Sequence, residues 1–595
     1  MLLGMDSWHC PREWVTLCER SSANGGGEPS TNSSISCTVV ELILREQKSS
    51  DATIPLIFVF RVTCILCIIT FIVARLLRLS EPRPSSPNLI RSTSVHLGSS
   101  HGPIRSILGY FRSIFGSLMS VVHLPGSYSG PLSSIPGPWT VPVLGSLAFF
   151  LRGNWYRTMD ELRQKYGDIY RLQIGSRPVI VLHGRRAVEG ALVGGLSRVF
   201  AGRPDLKSFR LASEGKSMSF NGYSEEWRIH RRLAERVARA MYTNRSFVQS
   251  CLSVETQHLR DLFLVQADRG TPYNPDEDLL WSVAHVQYSL CYGNSHRDDS
   301  FEDMITNTIR LIGCHNKGNL VDFFPWAKRL LRFQEEALER ICDKMLSITK
   351  QKHSEHQRSF TRGRIRDMLD ALLEFGVNGK NRLGLDEMKI VLTVQEFIGA
   401  GLDIVHAALH WTVLYAARHE NIQRRIQAEI QDVIGRQRTP TRNDMPRMPF
   451  TVAFIAEMLR HSSVVPLALP HSTTKDTYLD GHFVPADTMV LVNLRSVNHD
   501  EDTWTRPEVF HPERFLETQS DGTLRFRGGE SAFGFGWRRC VGAELSRLEL
   551  FLYLTTLLQS CRITLAPGTP ESDLDEPRIG IVLRPKPFSI LVTRR

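Results

Sequence analysis

A ten-residue segment near the C-terminus places the strongest constraint on what this chain can fold into. Residues 533–542 read Phe-Gly-Phe-Gly-Trp-Arg-Arg-Cys-Val-Gly. Gly534 and Gly536 tolerate positive φ angles, so the backbone can turn tightly around the Cys540 sulfur. The apolar periodicity after Gly542 predicts that a helix follows directly. The segment therefore predicts a cysteine held in a glycine-lined turn at the start of a helix.

A cysteine in such a turn suits axial ligation of haem iron. The ligating sulfur must be a thiolate that is shielded from water and accepts backbone N–H bonds. We expect Cys540 to be the metal ligand, Phe533 to shield it and Arg538 to pair with a haem propionate. Gly542 leaves room for the porphyrin. A dinucleotide loop is disfavoured because Trp537 follows the second glycine and the third glycine is missing. A cysteine that only packs in the core is the remaining alternative.

The segment resembles the haem-binding signature of the cytochrome P-450 family, F-x-x-G-x-R-x-C-x-G, and matches every fixed position, Gly536 included. The resemblance covers roughly residues 134–595, the expected haem-thiolate catalytic domain. It implies a mainly α fold with a small β-rich lobe, and haem b between two helices. Strand-like alternation at 170–182, 478–492 and 579–592 is where we expect strands. The implied activity is monooxygenation with O2 and NADPH-derived electrons, delivered by a flavoprotein reductase.

Glu457 and Arg460 lie three residues apart on a predicted helix. Taken alone, this spacing is typical of a surface salt bridge worth a few tenths of a kcal/mol. In the family, an E-x-x-R motif pairs with an arginine from a later loop, and Arg514 in Pro-Glu-Arg-Phe matches that position. The resemblance therefore implies a structural role for all three residues.

Trp227 and Arg231 are four residues apart on a predicted helix and so share one face. They match a family motif in which both residues contact a haem propionate, and His471 resembles a further propionate contact. Without the resemblance, His471 would be interpreted as a surface residue. The same helix carries further basic residues, namely Arg228, Arg232, Arg236 and Arg239. They are typical of a solvated face, and the resemblance implies that they dock the acidic reductase.

Gly399-Ala400-Gly401-Leu402-Asp403 lies in a long apolar helix predicted from about residue 385 to 418. These small residues resemble the family's distal oxygen groove, which implies catalytic roles for Ala400, Gly401 and Asp403. The family usually has a threonine after the acid, where it anchors a water molecule for proton delivery. Here that position is Ile404, so the route of protons stays open.

The stretches 461–466 and 470–474 are similar to the first vertebrate microsomal family, the aryl-hydrocarbon and oestrogen hydroxylases. Its pocket positions map onto Phe209, Gly399, Ala400, Val465 and Leu469. A pocket of this composition suits flat apolar molecules, either planar aromatic or steroid-like. Plain core packing is the alternative for each position, and the natural substrate does not follow from them.

The first 133 residues differ in composition from the expected catalytic domain. Residues 1–53 show no clear period and indicate a disordered or luminal tail. Residues 54–74 are almost wholly apolar and long enough to cross a bilayer. Basic residues that follow this span predict that the catalytic domain faces the cytosol, and the resemblance to a microsomal family implies that the membrane is that of the endoplasmic reticulum. Residues 75–133 indicate a linker, with an amphipathic helix at 104–124 that suits a membrane surface or a core.

The composition of the chain limits which functions and binding partners are compatible with it. The net charge of +10 fits an anionic membrane or an acidic partner, and no nucleic-acid motif accompanies it. Eleven scattered cysteines, an odd number, do not indicate a disulfide framework. Two rival functions stay open: a haem-thiolate isomerase or dehydratase that needs no O2, favoured by Ile404, and a non-catalytic haem or lipid binder. The oligomeric state and the presence of residues 1–53 in the mature protein are also open.

Overall fold

Helices dominate the computed structural model of the chain. It describes residues 130–595 except 141–142, 153–154, 294–298, 317–318, 377–385, 530, 570–573 and 575. The predicted tail at 1–53, the membrane span at 54–74 and the amphipathic helix at 104–124 lie outside the described residues. Only 130–133 of the predicted linker are described.

The described α-helices, numbered in chain order, form most of the domain. They are α1 (Trp155–Tyr166), α2 (Gly184–Leu192), α3 (Lys207–Ser213), α4 (Glu225–Thr243), α5 (Arg245–Arg269), α6 (Asp276–Tyr292), α7 (Asp299–Asn316), α8 (Arg332–Ser359), α9 (Met368–Gly376), α10 (Glu387–Arg418), α11 (Glu420–Val433), α12 (Pro449–Ser462), α13 (Leu494–Asn498) and α14 (Ala543–Ser560). Short 3₁₀ turns link several of them.

The described strands form small sheets beside the helices. They are β1 (Ile169–Ile174), β2 (Arg177–Leu182), β3 (His471–Ser472), β4 (Thr477–Leu479), β5 (His482–Val484), β6 (Met489–Val492), β7 (Leu516–Thr518), β8 (Leu524–Phe526), β9 (Cys561–Leu565) and β10 (Ile590–Arg594). The largest sheet has the order β1-β2-β6-β3. Its β1–β2 hairpin is antiparallel, whereas β2 and β6 run parallel. The predicted mainly α fold with a small β lobe is confirmed.

The longest helix, α10, runs through the core. Its N-cap Asp386 accepts a hydrogen bond from the Lys389 N–H, which satisfies one of the donors that a helix start leaves unpaired. Most of its side chains are buried against α6, α14 and neighbouring elements. Among the described helices, α10 alone has the length and apolar composition of a membrane span. Its burial identifies it as the core helix that carries residues 399–403.

The predicted strand at 579–592 is wrong for most of its length, since only β10 at its end is a strand. Residues 578–584 instead form a loop closed by paired backbone bonds between Arg578 and Arg584, at 2.7 and 3.2 Å. Pro585 and Pro587 lack the N–H groups that a continuous strand would donate. The loop is held in place because the Leu583 N–H donates to the carbonyl of Val464 at 2.8 Å.

Candidate active site

The turn around Cys540 is built by backbone contacts. The Cys540 N–H donates to the Phe533 carbonyl at 2.9 Å, and the Gly534 N–H donates to the Ser531 carbonyl at 3.0 Å. Gly534 and Gly536 have φ angles of 73° and 61°, in the left-handed region that favours glycine. A Cβ atom at Gly536 would also overlap the carbonyl oxygen at the C-terminal end of α2. Gly536 is therefore required by packing as well as by its φ angle, whereas Gly534 is favoured by its φ angle alone.

Cys540 lies near the Gly542 N–H and several arginines. Its side chain keeps accessible surface, yet burial raises the pKa of its thiol, while the Gly542 N–H and Arg231 act to lower it. A thiol in such surroundings becomes a thiolate when a metal ion coordinates it. The Arg547 guanidinium lies 4.5 Å from the Phe533 ring centre, so this ring is fixed beside the turn. The residues present fit a haem iron at this position.

Arg203, Arg231 and Arg538 form a cluster of positive charge near the turn, which is suited to binding an anion. Burial lowers the pKa of Arg538, and Arg203 and Arg231 lower it further. Arg538 donates to three backbone carbonyls at 2.6–3.1 Å, and Arg203 also donates to carbonyls. Within the described residues, Arg231 pairs with Glu235 at 2.8 Å, but neither Arg203 nor Arg538 has an ion pair. Because a guanidinium stays charged, haem propionates are suitable partners for this cluster.

The other predicted propionate residues lie near Arg538. The Trp227 ring centre is 3.9 Å from the Arg538 guanidinium, but its indole N–H donates to the Met218 carbonyl at 2.8 Å. His471 Nδ1 lies 2.7 Å from the Phe200 carbonyl and therefore carries the proton. Burial holds the pKa of His471 well below its usual value, so the imidazole is neutral. The structure thus brings together the predicted residues, and their contacts with haem remain predictions.

Glu457, Arg460 and Arg514 form one buried network. The Glu457 and Arg460 side chains are both 0% exposed and pair twice, at 2.7 and 2.9 Å. Arg514 Nε lies 3.1 Å from Glu457 Oε1, and the His511 N–H donates to the same oxygen at 2.8 Å. This network differs from a common surface salt bridge because it is buried. Away from water, each charge is compensated only by its partners in the network.

The small residues of α10 have different surroundings. Gly399 and Ala400 line a cavity, as do Asp403 and Ile404. Gly401 does not line it: a Cβ atom there would overlap the side-chain amide of Gln287 on α6. The glycine is therefore needed for helix packing, and the oxygen-groove role predicted for Gly401 lacks support from its position.

Asp403 is held by an arginine that the sequence did not indicate. The Arg584 guanidinium forms an ion pair with the Asp403 carboxylate, and both side chains are largely buried. Arg584 ends the loop whose Ile581 and Val582 also line the cavity. No motif marks Arg584, because it lies 181 residues from Asp403 in the chain.

The cavity beside α10 has a volume of about 390 Å³ and a mainly apolar wall. All five predicted pocket positions, Phe209, Gly399, Ala400, Val465 and Leu469, line it. Phe209 is fixed by Phe220, with ring centres 4.6 Å apart. Volume and lining suit a small hydrophobic molecule. Together, a helical fold, a turn that presents a thiol, a cationic cluster and an adjoining apolar chamber define the class of haem-thiolate proteins.

Comparisons with known proteins agree with this class. The cytochrome P450 family profile matches residues 135–592. Cytochrome P450 1A5 of Gallus gallus is 33% identical over 499 residues, covering 81% of this chain and 92% of the relative. Cytochrome P450 1A1 of Rattus norvegicus is 37% identical over 453 residues, or 73% of this chain and 86% of the relative. A zebrafish cytochrome P450 solved with progesterone has a TM-score of 0.65 and 30% identity, and the match covers 74% of this chain and 99% of that one.

The chain therefore belongs to the cytochrome P450 family. It is a haem-thiolate monooxygenase whose cofactor is haem iron, and it works with a redox partner, O2 and a small-molecule substrate. The resemblance to the first vertebrate microsomal family is confirmed, because the Gallus gallus and Rattus norvegicus relatives are cytochromes P450 1A.

Proposed function

We propose that this enzyme is bound to the endoplasmic reticulum membrane with its catalytic domain in the cytosol, and inserts one oxygen atom into a planar aromatic or steroid-like substrate. The apolar cavity bounded by Phe209, Ala400 and Ile404 carries this proposal, because it places a flat molecule against α10. Its volume of about 390 Å³ is within the range of small-molecule pockets, roughly 300–1,000 Å³. The steroid in the zebrafish relative supports a substrate of this size.

We assign the residues of the chain to binding and positioning. Cys540 holds the iron, and Arg538 with Arg231 neutralises the propionates. The haem, when bound, supplies the oxygen-activating chemistry. Ala400 leaves space beside the substrate, and Asp403 presents a carboxylate at the cavity wall whose charge Arg584 stabilises.

The electrons come from NADPH through a flavoprotein reductase in this proposal. Arg232, Arg236 and Arg239 are exposed on α4, the helix that also carries Arg231 near the Cys540 turn. Such a basic face suits an acidic partner and speeds its association. Charge reversal of Arg232 and Arg239 to Glu should slow reduction by the reductase and leave reduction by dithionite unchanged.

Membrane association has support beyond the apolar run at 54–74. Trp326, Leu330 and Phe333 are 65–77% exposed and lie in one short stretch. Exposed basic residues alternate with them, namely Lys328, Arg329 and Arg332. Apolar side chains between basic ones suit the headgroup boundary of an anionic membrane. Flotation with phosphatidylserine vesicles should therefore fall when all three apolar residues become Ser, and a further loss should follow deletion of residues 1–74.

The decisive experiment is turnover of a panel of planar aromatics and steroids with reductase and NADPH. Oxygenated product that carries one atom from ¹⁸O2 supports the proposal. Peroxide rearrangement without NADPH would favour an isomerase instead, and spectral binding without product would favour a haem binder. An Ile404→Thr variant tests proton delivery: more product per NADPH means that the missing hydroxyl limits coupling.

The thiolate assignment has a separate test. The absorption band of the reduced carbon monoxide complex should be that of a thiolate-ligated haem and not that of a histidine-ligated globin, and a Cys540→Ser variant should lose this band. A parent spectrum retained in that variant would contradict the assignment.

A further inference from the structure

The ion pair between Arg584 and Asp403 leaves part of the guanidinium unused. Arg584 donates to one oxygen of Asp403, and its buried Nε–H has no hydrogen-bond acceptor among the described residues. Burial lowers the pKa of Arg584, whereas Asp276, the first residue of α6, acts to raise it. A guanidinium has five N–H donors and stays charged. A buried cation with an unused donor therefore lies within electrostatic reach of a second carboxylate.

Asp276 has an unused acceptor that matches this donor. Its buried Oδ1 lies 3.0 Å from His406 Nε2 and 3.3 Å from His410 Nδ1, yet it has no aligned hydrogen bond within the described residues. His406 Nε2–H is directed instead to the Asp276 backbone carbonyl, at 3.1 Å. Burial alone would raise the pKa of Asp276, but His406, His410 and Arg584 hold it below its usual value. Because buried polar groups are normally paired, the two unused atoms point to an arrangement in which Arg584 binds Asp276.

Packing contacts bring the three segments that carry these groups together. Tyr273 and Ile590 exchange two backbone hydrogen bonds of 2.9 Å, which place the start of α6 beside the segment that follows Arg584. The rings of His410 on α10 and Phe588 stack with centres 4.8 Å apart. The start of α6, the middle of α10 and the segment 584–590 therefore meet at one place.

The titratable and charged groups at this place come from all three segments. They are Asp276 on α6, Asp403, His406 and His410 on α10, and Arg578 and Arg584 on the 578–584 loop. Burial lowers the pKa of His410 to about 3, so this imidazole is neutral. The Asp403 side chain is 10% exposed and that of Asp276 is 40% exposed. If Arg584 moves to Asp276, Asp403 remains as a buried carboxylate without its cation and takes up a proton.

We propose that Arg584 exchanges between Asp403 and Asp276, and that His406 acts through Asp276 as a positioning residue that favours the pair with Asp403. His406 compensates the Asp276 carboxylate and so weakens its attraction for Arg584. Oxygenation consumes O2, two electrons and two protons, and leaves one oxygen atom in the product and one in water. Asp403 accepts a proton while Arg584 is on Asp276, and releases it into the cavity when Arg584 returns. This inference rests on the proposed function, because it assigns Asp403 to proton supply.

Difference infrared spectroscopy of the haem-loaded enzyme measures the protonation of Asp403 directly. The carboxylic acid C=O band that is absent from Asp403→Asn is titrated with pH. His406→Leu should raise the midpoint of this titration by about one pH unit or more, because a carboxylate that loses a neighbouring cation is protonated more easily. His406→Gln keeps an N–H donor and should restore the native midpoint. His419→Leu is the matched control: His419 packs on Phe510 at the end of α10, so the midpoint should not change.

A double-mutant cycle separates action through Asp276 from a direct effect of His406 on Asp403. Asp276→Asn should lower the midpoint, because Arg584 then stays on Asp403. His406→Leu should cause no further change when it is added to Asp276→Asn. An equal shift by His406→Leu in both backgrounds, no shift in the native background, or absence of the band from every variant would overturn the proposal. Retained Soret absorbance excludes misfolding as the cause of a shift.

Turnover of pyrene with reductase and NADPH tests the role of Asp403 separately. If Asp403 supplies a proton, the rate should fall as the pH rises through the infrared midpoint, and Asp403→Asn should be slower and lose this dependence. The rate profile of His406→Leu should move to higher pH together with its infrared midpoint. An Asp403→Asn variant as fast as the native enzyme would contradict proton supply by Asp403, whereas the infrared cycle would still decide whether Arg584 exchanges.

Discussion

Replacing Glu457 with glutamine should destabilise the domain more than any exchange of one surface charge. The carboxylate receives two hydrogen bonds from Arg460, one from Arg514 and one from the His511 N–H. An amide preserves shape and one acceptor oxygen but removes the charge. Arg460 would then be a fully buried cation without a counter-ion, and its hydrogen bond to the neutral Asn498 carbonyl, at 2.8 Å, would not compensate the charge.

The magnitude depends on burial. Breaking a buried ion pair by removing one partner costs about 3–5 kcal/mol, because the other charge is left uncompensated. The unfolding free energy of a domain is about 5–15 kcal/mol. Glu457→Gln should therefore remove at least a fifth of the stability and lower the urea midpoint by about 1 M or more, with a urea m-value of about 3 kcal/mol/M.

Glu420→Gln is the matched control. Glu420 pairs with Arg562 at 2.7 Å, but these side chains are 46% and 55% exposed. An exposed pair contributes about 1 kcal/mol or less, so this variant should unfold near the native midpoint. Unfolding is followed by tryptophan fluorescence, with release of haem as a second signal. Equal midpoints for Glu457→Gln and Glu420→Gln would refute the reasoning.

Three further predictions concern glycines and one buried acid. Gly536→Ala should abolish haem incorporation, measured by Soret absorbance, because the added Cβ atom would overlap a backbone oxygen of α2. At Gly534 a Cβ atom has free space, so Gly534→Ala should lower the unfolding free energy only by the roughly 1–2 kcal/mol that a left-handed alanine costs. Gly401→Ala should lower the thermal midpoint by displacing an amide on α6, whereas Gly399→Ala faces open space and should change ligand affinity instead. Burial raises the pKa of Glu549 from 4.5 to about 8. The folded state then binds this proton more tightly than the unfolded state, so the unfolding free energy falls as the pH rises from 4.5 to 8. Glu549 contributes up to about 1.4 kcal/mol per pH unit to this slope. Glu549→Gln should remove that contribution, as measured by denaturation at several pH values. A pH slope unchanged by Glu549→Gln would contradict the last prediction.

Local spacing accounts for what could be predicted from the sequence. The turn at Cys540 depends on neighbours within ten residues, and two glycines with positive φ mark its shape. Glu457 and Arg460 share one helical turn, so their pairing follows from periodicity. Their complete burial does not, because it depends on elements such as α13 that pack from other parts of the chain.

Contacts between distant segments explain what could not be predicted. Gly401 matches a pattern of small residues, yet its neighbour is Gln287, which no local period relates to it. The alternation at 579–592 is typical of a strand, but the prolines and the Arg578–Arg584 backbone pair convert most of it to a loop. A sequence pattern predicts the conformation of the segment that carries it better than it predicts which other segment packs against it.

The environment of Asp403 shows how a contact between distant segments affects the mechanism. The sequence predicted a carboxylate on α10 with Ile404 in place of a hydroxyl, and so left proton delivery open. The structure adds Arg584, which pairs with that carboxylate. An aspartate paired with a guanidinium is held as the carboxylate, which has no proton to donate, because the pairing favours its charged form. Proton delivery through Asp403 therefore requires this ion pair to open, and the loop that carries Arg584 also carries Ile581 and Val582 on the cavity wall. Contact between substrate and that loop thus provides a physical link between substrate binding and the charge at Asp403.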